Sequence, residues 1–217
     1  MIRIAVMHVP RAHEVVGESI ISLKNNSRGV ITLMPDGSHS VDHVKTELDI
    51  KAFNIGKQVG CFKHYARCLE YLTNISQGND IVAVLPDDLI YRNLDGIEKA
   101  LKPNVGYCAI YTPHELGRRN RWKFGGWQES KGGWDSSYGG GYFFRASTVR
   151  KILEHPFFID HRDNYKENQQ IDHCIPEVVH QLGLKQLFHV PSLSKHIGLT
   201  STIGHEHTEA EEPWGWK

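Results

Sequence analysis

The first half of the chain switches between two rhythms of apolar residues. Residues 2–9 read as a strand, and Val15, Val16, Ile20 and Leu23 then fall on one helical face. Residues 29–33 form a second strand signal, closed by the turn residues Pro35-Asp36-Gly37. Val59, Phe62, Ala66, Leu69 and Leu72 keep helical spacing over several turns. The unbroken apolar run Ile81-Val82-Ala83-Val84-Leu85 predicts a fully buried strand. Asp95 and Glu98 resemble a capping box for a short helix through Leu101, and residues 105–111 give a further strand. Strand and helix alternating in this way predict an α/β fold, with a mostly parallel central sheet and helices on both faces.

The rhythm breaks from Thr112 to Tyr138, where glycine, arginine and tryptophan replace any apolar period. A stretch of that length without periodicity predicts a functional lid or binding loop. Order resumes at Gly139-Gly140-Gly141-Tyr142-Phe143-Phe144-Arg145, a strand entered through three glycines, with a helix over 146–154. Ile171, Ile175, Val178 and Leu182 mark a last helix that stops at Gly183, before a strand over 187–190. The chain shows no internal repeat and no linker, so one domain over 1–204 is expected, followed by an acidic, loosely held tail over 205–217.

Composition narrows the function classes. The chain has 217 residues, enough for one substantial core. Its formal net charge is zero, so no global field draws it to nucleic acid or to a membrane, although a local basic groove is compatible with that balance. The opening residues lack the long apolar region of a signal peptide, and no stretch reaches the length of a membrane span. Cys61, Cys68, Cys108 and Cys174 form no CxxC pair and sit within apparent helices and strands. They read as reduced core thiols of a cytoplasmic protein, which makes the sequons at Asn25 and Asn74 chance matches.

The chemistry concentrates at Leu85-Pro86-Asp87-Asp88. Two adjacent carboxylates at the end of a buried strand disfavour each other's ionisation unless a cation or water reaches them. In an open α/β sheet ligands bind beyond the carboxyl ends of the strands. Hard oxygen ligands there favour Mg²⁺ or Mn²⁺ bridging to phosphate, while the plainer reading is a turn after a strand. A second signal is Gly117-Arg118-Arg119-Asn120-Arg121-Trp122-Lys123, with Trp127 and Trp134 nearby. Cations interleaved with aromatics can hold a phosphate backbone and stack on a base or sugar, or can be a solvated basic loop. Asp172 follows Ile171 of the buried stripe and so lies roughly 100° off it, near a helix N-terminus whose dipole keeps a carboxylate ionised.

The acidic pair after an apolar strand, midway along a βαβ chain, resembles the DxD element of glycosyltransferases with the GT-A fold. The resemblance covers nearly the whole chain and implies a single GT-A-like domain. It implies Asp88 as metal ligand and Asp87 on the donor, with Pro86 standing where that family has an acid that contacts the donor's ribose. Gly139, Gly140, Gly141 and Tyr142 match the glycine-containing strand after the family's acceptor loop. Within Asn168-Gln169-Gln170-Ile171-Asp172-His173, Asp172 takes the place of the general base of inverting members. The family's Glu-Asp pair is Ile-Asp here, and Glu167 is the alternative base.

The segment Val190-Pro191-Ser192-Leu193-Ser194-Lys195-His196-Ile197-Gly198 resembles the family's C-terminal element. There His196 completes the metal shell and Lys195 lies by the donor, with His205 and His207 as rival ligands. Val9 and Arg11 at the mouth of the first strand, and Arg67, are placed at the nucleotide and its diphosphate. Arg119, Arg121, Trp122 and Trp127 are placed at the acceptor.

The resemblance therefore implies an inverting, Mn²⁺- or Mg²⁺-dependent transfer of a sugar from a nucleotide sugar, most simply a UDP-sugar. The acceptor hydroxyl is then on a saccharide or on a hydroxymethylated base in DNA, as for some phage-encoded members. Two rival classes remain. One is a non-catalytic sugar- or nucleotide-binding module. The other is a metal-dependent phosphate-ester hydrolase, which the lack of HExxH and of a dense acidic cluster disfavours.

Overall fold

The computed structural model describes residues 1–9, 15–37, 40–53, 56–132, 141–164 and 171–197. In chain order the first elements are β1 (Ile2–His8), α1 (Val16–Asn26), β2 (Val30–Pro35), α2 (Asp42–Leu48), β3 (Lys51–Ala52) and α3 (Cys61–Asn74). Next come β4 (Ile81–Pro86), β5 (Leu89–Tyr91), α4 (Ile97–Ala100), β6 (Val105–Ala109), α5 (His114–Arg119) and β7 (Gly126–Glu129). The last are β8 (Tyr142–Arg145), α6 (Ala146–Leu153), α7 (Pro156–Asp163), α8 (Ile171–Gln181), β9 (Lys185–Val190) and β10 (Ser194–His196).

An eight-stranded sheet runs in the order β3-β2-β1-β4-β8-β6-β9-β7, and β5 and β10 form a separate two-stranded ribbon. β1 pairs in parallel with both β2 and β4, β2 with β3, and β6 with β9. β8 is antiparallel to both β4 and β6, and β7 is antiparallel to β9. Since β4 and β6 both oppose β8, they run the same way. Six strands therefore point their carboxyl ends at one edge of the sheet.

Strand alternation splits the core in two. Ile4 and Val6 of β1, with Ile81, Ala83 and Leu85 of β4, face Val16, Ile20 and Leu23 of α1. Ala5, Val82 and Val84 face the opposite layer, built on Phe62, Ala66, Leu69 and Leu72 of α3 together with α6, α7 and α8. The β6–α8 contact is close enough to exclude a side chain: a Cβ on Gly106 would overlap Val179. Gly141 enters β8 at φ +107°, and a Cβ there would lie 2.6 Å from Leu85 Cδ2, so both the backbone and the space require glycine. Pro176 lies inside α8, and its carbonyl accepts a 2.7 Å bond from Gln186 Nε2. The Tyr107 hydroxyl donates to Gln186 Oε1 at 2.8 Å, which joins α8, β9 and β6 through buried polar atoms.

Two expectations from the sequence change. Asp95 and Glu98 do not cap α4: its N-cap is Gly96, with no side-chain cap bond, and the Asp95 amide donates instead to Asn93 Oδ1 at 2.8 Å. The stretch after Thr112 is not without structure either. It forms α5, anchored by the fully buried Leu116, and the edge strand β7. Both are too short to show a period. Among the described residues no helix is long and apolar enough to cross a membrane. Cys61, Cys68, Cys108 and Cys174 form no disulfide, and burial pushes the Cys174 thiol up to about 12.

Candidate functional site

The site grows out of strand parity at the carboxyl edge. β1 and β4 pair in the register Val6↔Leu85 and Met7↔Pro86, so His8 falls opposite Asp87 as the strands end. Ile4 and Val6, and Ala83 and Leu85, point to the α1 side of the sheet, and His8 and Asp87 continue that parity. Their side chains meet: His8 Nδ1 lies 2.6 Å from Asp87 Oδ2, with both residues buried. An ionised carboxylate only accepts, so Nδ1 carries the proton and donates it. Asp87 Oδ2 also accepts from the Val9 amide at 3.3 Å, while the Val9 side chain is half-buried.

Asp88 belongs to a different arrangement. The two-residue turn Asp87-Asp88 joins β4 to β5, and β5 pairs antiparallel with β10 in the register Leu89↔His196 and Ile90↔Lys195. β10 is held to the end of β6 because the Leu193 and Ser194 amides both donate to the Ile110 carbonyl, at 2.8 and 3.1 Å. The Ile197 amide donates to the Asp88 carbonyl at 2.9 Å. These bonds bring His196 Nδ1 to 3.5 Å from Asp88 Oδ1, with side-chain exposures of 28% and 13%. Tyr111 packs edge-on against the imidazole of His196, ring centres 5.1 Å apart.

A carboxylate oxygen and an imidazole nitrogen at a partly open edge fit a divalent cation. Mg²⁺ and Mn²⁺ are commonly held by one or two protein ligands, with phosphate oxygens and water supplying the rest. Among the described residues no group of three or more His, Cys, Asp or Glu is placed to hold a metal by itself. The residues therefore fit a cation site shared with a phosphate ligand, and not a closed all-protein cage.

A second sealed network lies beside it at the end of β2, and the sequence reading passed over it. Asp36 is 3% exposed, and its two oxygens accept from the Val59 and Gly60 amides at 2.9 and 3.0 Å, which ties the approach to α3 onto β2. His64 of α3 is buried, with Nε2 donating to the Met34 carbonyl at 2.8 Å and Nδ1 4.0 Å from Asp36 Oδ1. Burial holds the His64 pKa below its ordinary value, against the opposing pull of the Met34 carbonyl and the Asp36 charge. Arg67 lies one turn further along α3, where Nη1 donates to the Lys57 carbonyl at 3.3 Å and its charge also lowers His64. Two signals could have found these residues: the alternation Ile4-Val6-His8, and a histidine within the apolar stripe of α3.

Asp172 occupies the first turn of α8, half-buried beside Ile171, which packs into the core. α8 runs back to the start of β9, so its N-terminus returns to the carboxyl edge. The charge of Asp172 reaches the fully buried Tyr65, Tyr107 and Tyr142, whose phenols are raised first by burial and next by that carboxylate. Tyr142 is a core residue, its ring centre 4.6 Å from that of Tyr107.

Lys195 is half-buried in the β5–β10 ribbon. Arg118, Arg119, Arg121 and Lys123 are exposed, with Arg121 at φ +54°. Trp122 stacks on Phe188 at 5.4 Å and Trp127 meets His189 edge-on at 5.0 Å, so the two rings brace this segment against opposite faces of β9. Their stacking partners are protein side chains, and both rings remain half-buried. The structure thus joins Asp88 to His196, and Asp87 to His8 and Val9, and sets Asp172 at the same edge. Arg11, Trp134, Gly139, Gly140, Glu167, His205 and His207 lie outside the described residues.

No family model matches the chain, and no curated protein sequence does. Solved structures do match. The fold is similar to that of GalNAc-T7, solved with UDP, GalNAc and Mn²⁺, with a TM-score of 0.58 at 14% identity over 90% of this chain. The chain spans only 42% of that longer one. It is also similar to 4-diphosphocytidyl-2C-methyl-D-erythritol synthase, with a TM-score of 0.56 at 11% identity over 92% of this chain and 93% of that one. The chain has a GT-A-like fold. At these identities the likeness is one of fold alone.

Proposed function

We propose that this chain is a glycosyltransferase that moves a sugar from a nucleotide sugar, a UDP-sugar in the first instance, to an acceptor hydroxyl with inversion. The observation that carries the reading is the Asp88–His196 pair, 3.5 Å apart and partly open at the carboxyl edge. It is supported by a GT-A-like fold whose neighbour GalNAc-T7 was solved with UDP, GalNAc and Mn²⁺. The turn is less enclosed at its second residue: Asp87 is 2% exposed, the Asp88 side chain 13% and that of His196 28%.

In this reading Asp88 and His196 hold a Mn²⁺ or Mg²⁺, which when bound supplies Lewis-acid stabilisation to the leaving diphosphate. Lys195 and Arg67 add positive charge on the donor's phosphate side, and Val9 lines the nucleotide side. Asp172 takes the proton from the acceptor hydroxyl as that oxygen attacks the anomeric carbon. One carbon–oxygen bond forms to the acceptor, the bond to the diphosphate breaks, and the nucleoside diphosphate leaves with the bonding pair. The acceptor hydroxyl belongs to a saccharide or to a hydroxymethylated base in DNA. Exposed Arg119 and Arg121, with Arg118 and Lys123, favour an acceptor that carries phosphate.

A second reading, nucleotidyl transfer, is favoured by the end-to-end match to the synthase, 92% of this chain against 93% of that one. The two readings release different products, nucleoside diphosphate in the first and pyrophosphate in the second.

The metal role is tested with Asp88→Ala and with chelator. Sugar transfer is expected to fall by at least about 100-fold in both, with the folded state retained. Undiminished turnover in excess chelator overturns it. With a DNA acceptor, the rate is expected to fall steeply as salt rises. A flat salt response would exclude DNA.

A further inference from the structure

We infer that Asp87 and His8 form a positioning pair that aims Asp88 at the cation, and that Asp87 is not itself a ligand of donor or metal. This rests on the reading of Asp88 and His196 as the cation site. Three observations carry it. First, Asp87 is 2% exposed, so its carboxylate has no open face to offer a nucleotide sugar. Second, Oδ2 is committed to protein donors, His8 Nδ1 at 2.6 Å and the Val9 amide at 3.3 Å. Third, the turn is only two residues long and is fastened on both sides. The Asp87 side chain ties it to the end of β1, and the Asp88 carbonyl ties it to β10 through the Ile197 amide at 2.9 Å.

With the turn held at both ends, the backbone places the Asp88 carboxylate 3.5 Å from His196. A ligating carboxylate is oriented by the groups behind it, and loss of such support commonly costs about 10–100-fold in metal affinity. The two neighbouring acids therefore differ in kind. Asp88 meets the ligand, and Asp87 acts through His8 and Val9. His8 belongs to the same device, since it joins the nucleotide-side mouth of β1 to the metal-side turn.

The side-chain nitrogen of Asn can stand in for Nδ1 of a histidine, and that of Gln for Nε2. These two replacements separate positioning from direct contact. Mn²⁺ affinity is measured by electron paramagnetic resonance in the presence of UDP, for His8→Ala, His8→Asn, His8→Gln, Asp87→Asn and Asp87→Ala. Thermal melting and the donor KM and kcat are recorded alongside. His8→Ala, His8→Gln and Asp87→Ala are expected to weaken Mn²⁺ binding by about 10–100-fold, and His8→Asn to recover most of that loss. Asp87→Asn, whose amide oxygen still accepts, is expected to fall between. Recovery by Gln and not by Asn would make His8 a direct ligand contact through Nε2 and overturn the pair. Lower melting temperatures with Mn²⁺ affinity unchanged throughout would make the pair merely structural. If all variants bind Mn²⁺ like a wild type that binds it tightly, only this inference fails. A wild type that binds no Mn²⁺ even with UDP overturns the cation site itself.

Discussion

The carboxyl edge of the sheet has two mouths, and they are built differently. At the ends of β1, β2 and β4, His8, Asp36, His64 and Asp87 are all buried. Short bonds join His8 to Asp87, Asp36 to two amides and His64 Nε2 to the Met34 carbonyl, while His64 Nδ1 makes no hydrogen bond among the described residues. At the ends of β6 and β9, the Ser192 and Thr112 hydroxyls also bond to backbone carbonyls, and aromatic packing is added to them: Trp122 on Phe188, Trp127 on His189, Tyr111 on His196. The cations there stand exposed. A buried polar network fixes atoms tightly and is costly when half-satisfied, whereas exposed charges contribute little individually and are screened by salt. In the proposed reading, the first mouth holds donor-side groups in place and the exposed cations of the second meet the acceptor.

Asp172 at the head of α8 stands apart from both networks, and its replacement gives the largest expected effect. Asp172→Asn should lower kcat by about 100- to 10,000-fold while leaving the donor KM near the wild-type value. A wild-type kcat would remove it as the base. An intermediate effect is expected at the packed mouth. Trp122→Ala should cost about 2 kcal/mol in urea unfolding, since a half-buried ring leaves a shallower gap than a core one, and should leave Mn²⁺ affinity alone. If it weakened Mn²⁺ binding as much as Asp87→Ala, the division into two mouths would fail.

The smallest effect concerns His64. Burial lowers its folded pKa below the value of about 6.5 expected in the unfolded chain. Below about pH 6.5 the unfolded state therefore binds a proton that the folded state refuses, so stability falls as pH drops through that window and is regained as pH rises. His64→Gln keeps a donor for the Met34 carbonyl without titrating. It should flatten the fall in urea midpoint between about pH 7 and about pH 5.5. An unchanged slope would show that His64 does not contribute.

The sequence reveals the long elements because each carries several periods of apolar residues, as in β1, α3 and β4. α5, β5, β7 and β10 run for six, three, four and three residues, less than the pattern needs. Asp87 and Asp88 were legible because a charged pair ends an apolar run. His8 was hidden in plain alternation, since a strand residue facing the α1 core was not suspected of bonding an acid on the neighbouring strand. Asp36 read as a turn residue because turns favour aspartate, while its two amide partners come from the approach to α3. The contacts of Trp122 with Phe188 and of Trp127 with His189 were not legible, because their partners lie far along the chain.

The central claim is that the Asp88–His196 edge transfers a sugar. It is tested most directly by incubating the protein with a panel of nucleotide sugars and Mn²⁺ and identifying the phosphate product. Release of a nucleoside diphosphate from at least one UDP-sugar, dependent on Mn²⁺ and lost in Asp88→Ala, is the predicted result. Pyrophosphate formation from a nucleoside triphosphate, or tight binding of nucleotide sugars with no release from any of them, would contradict it.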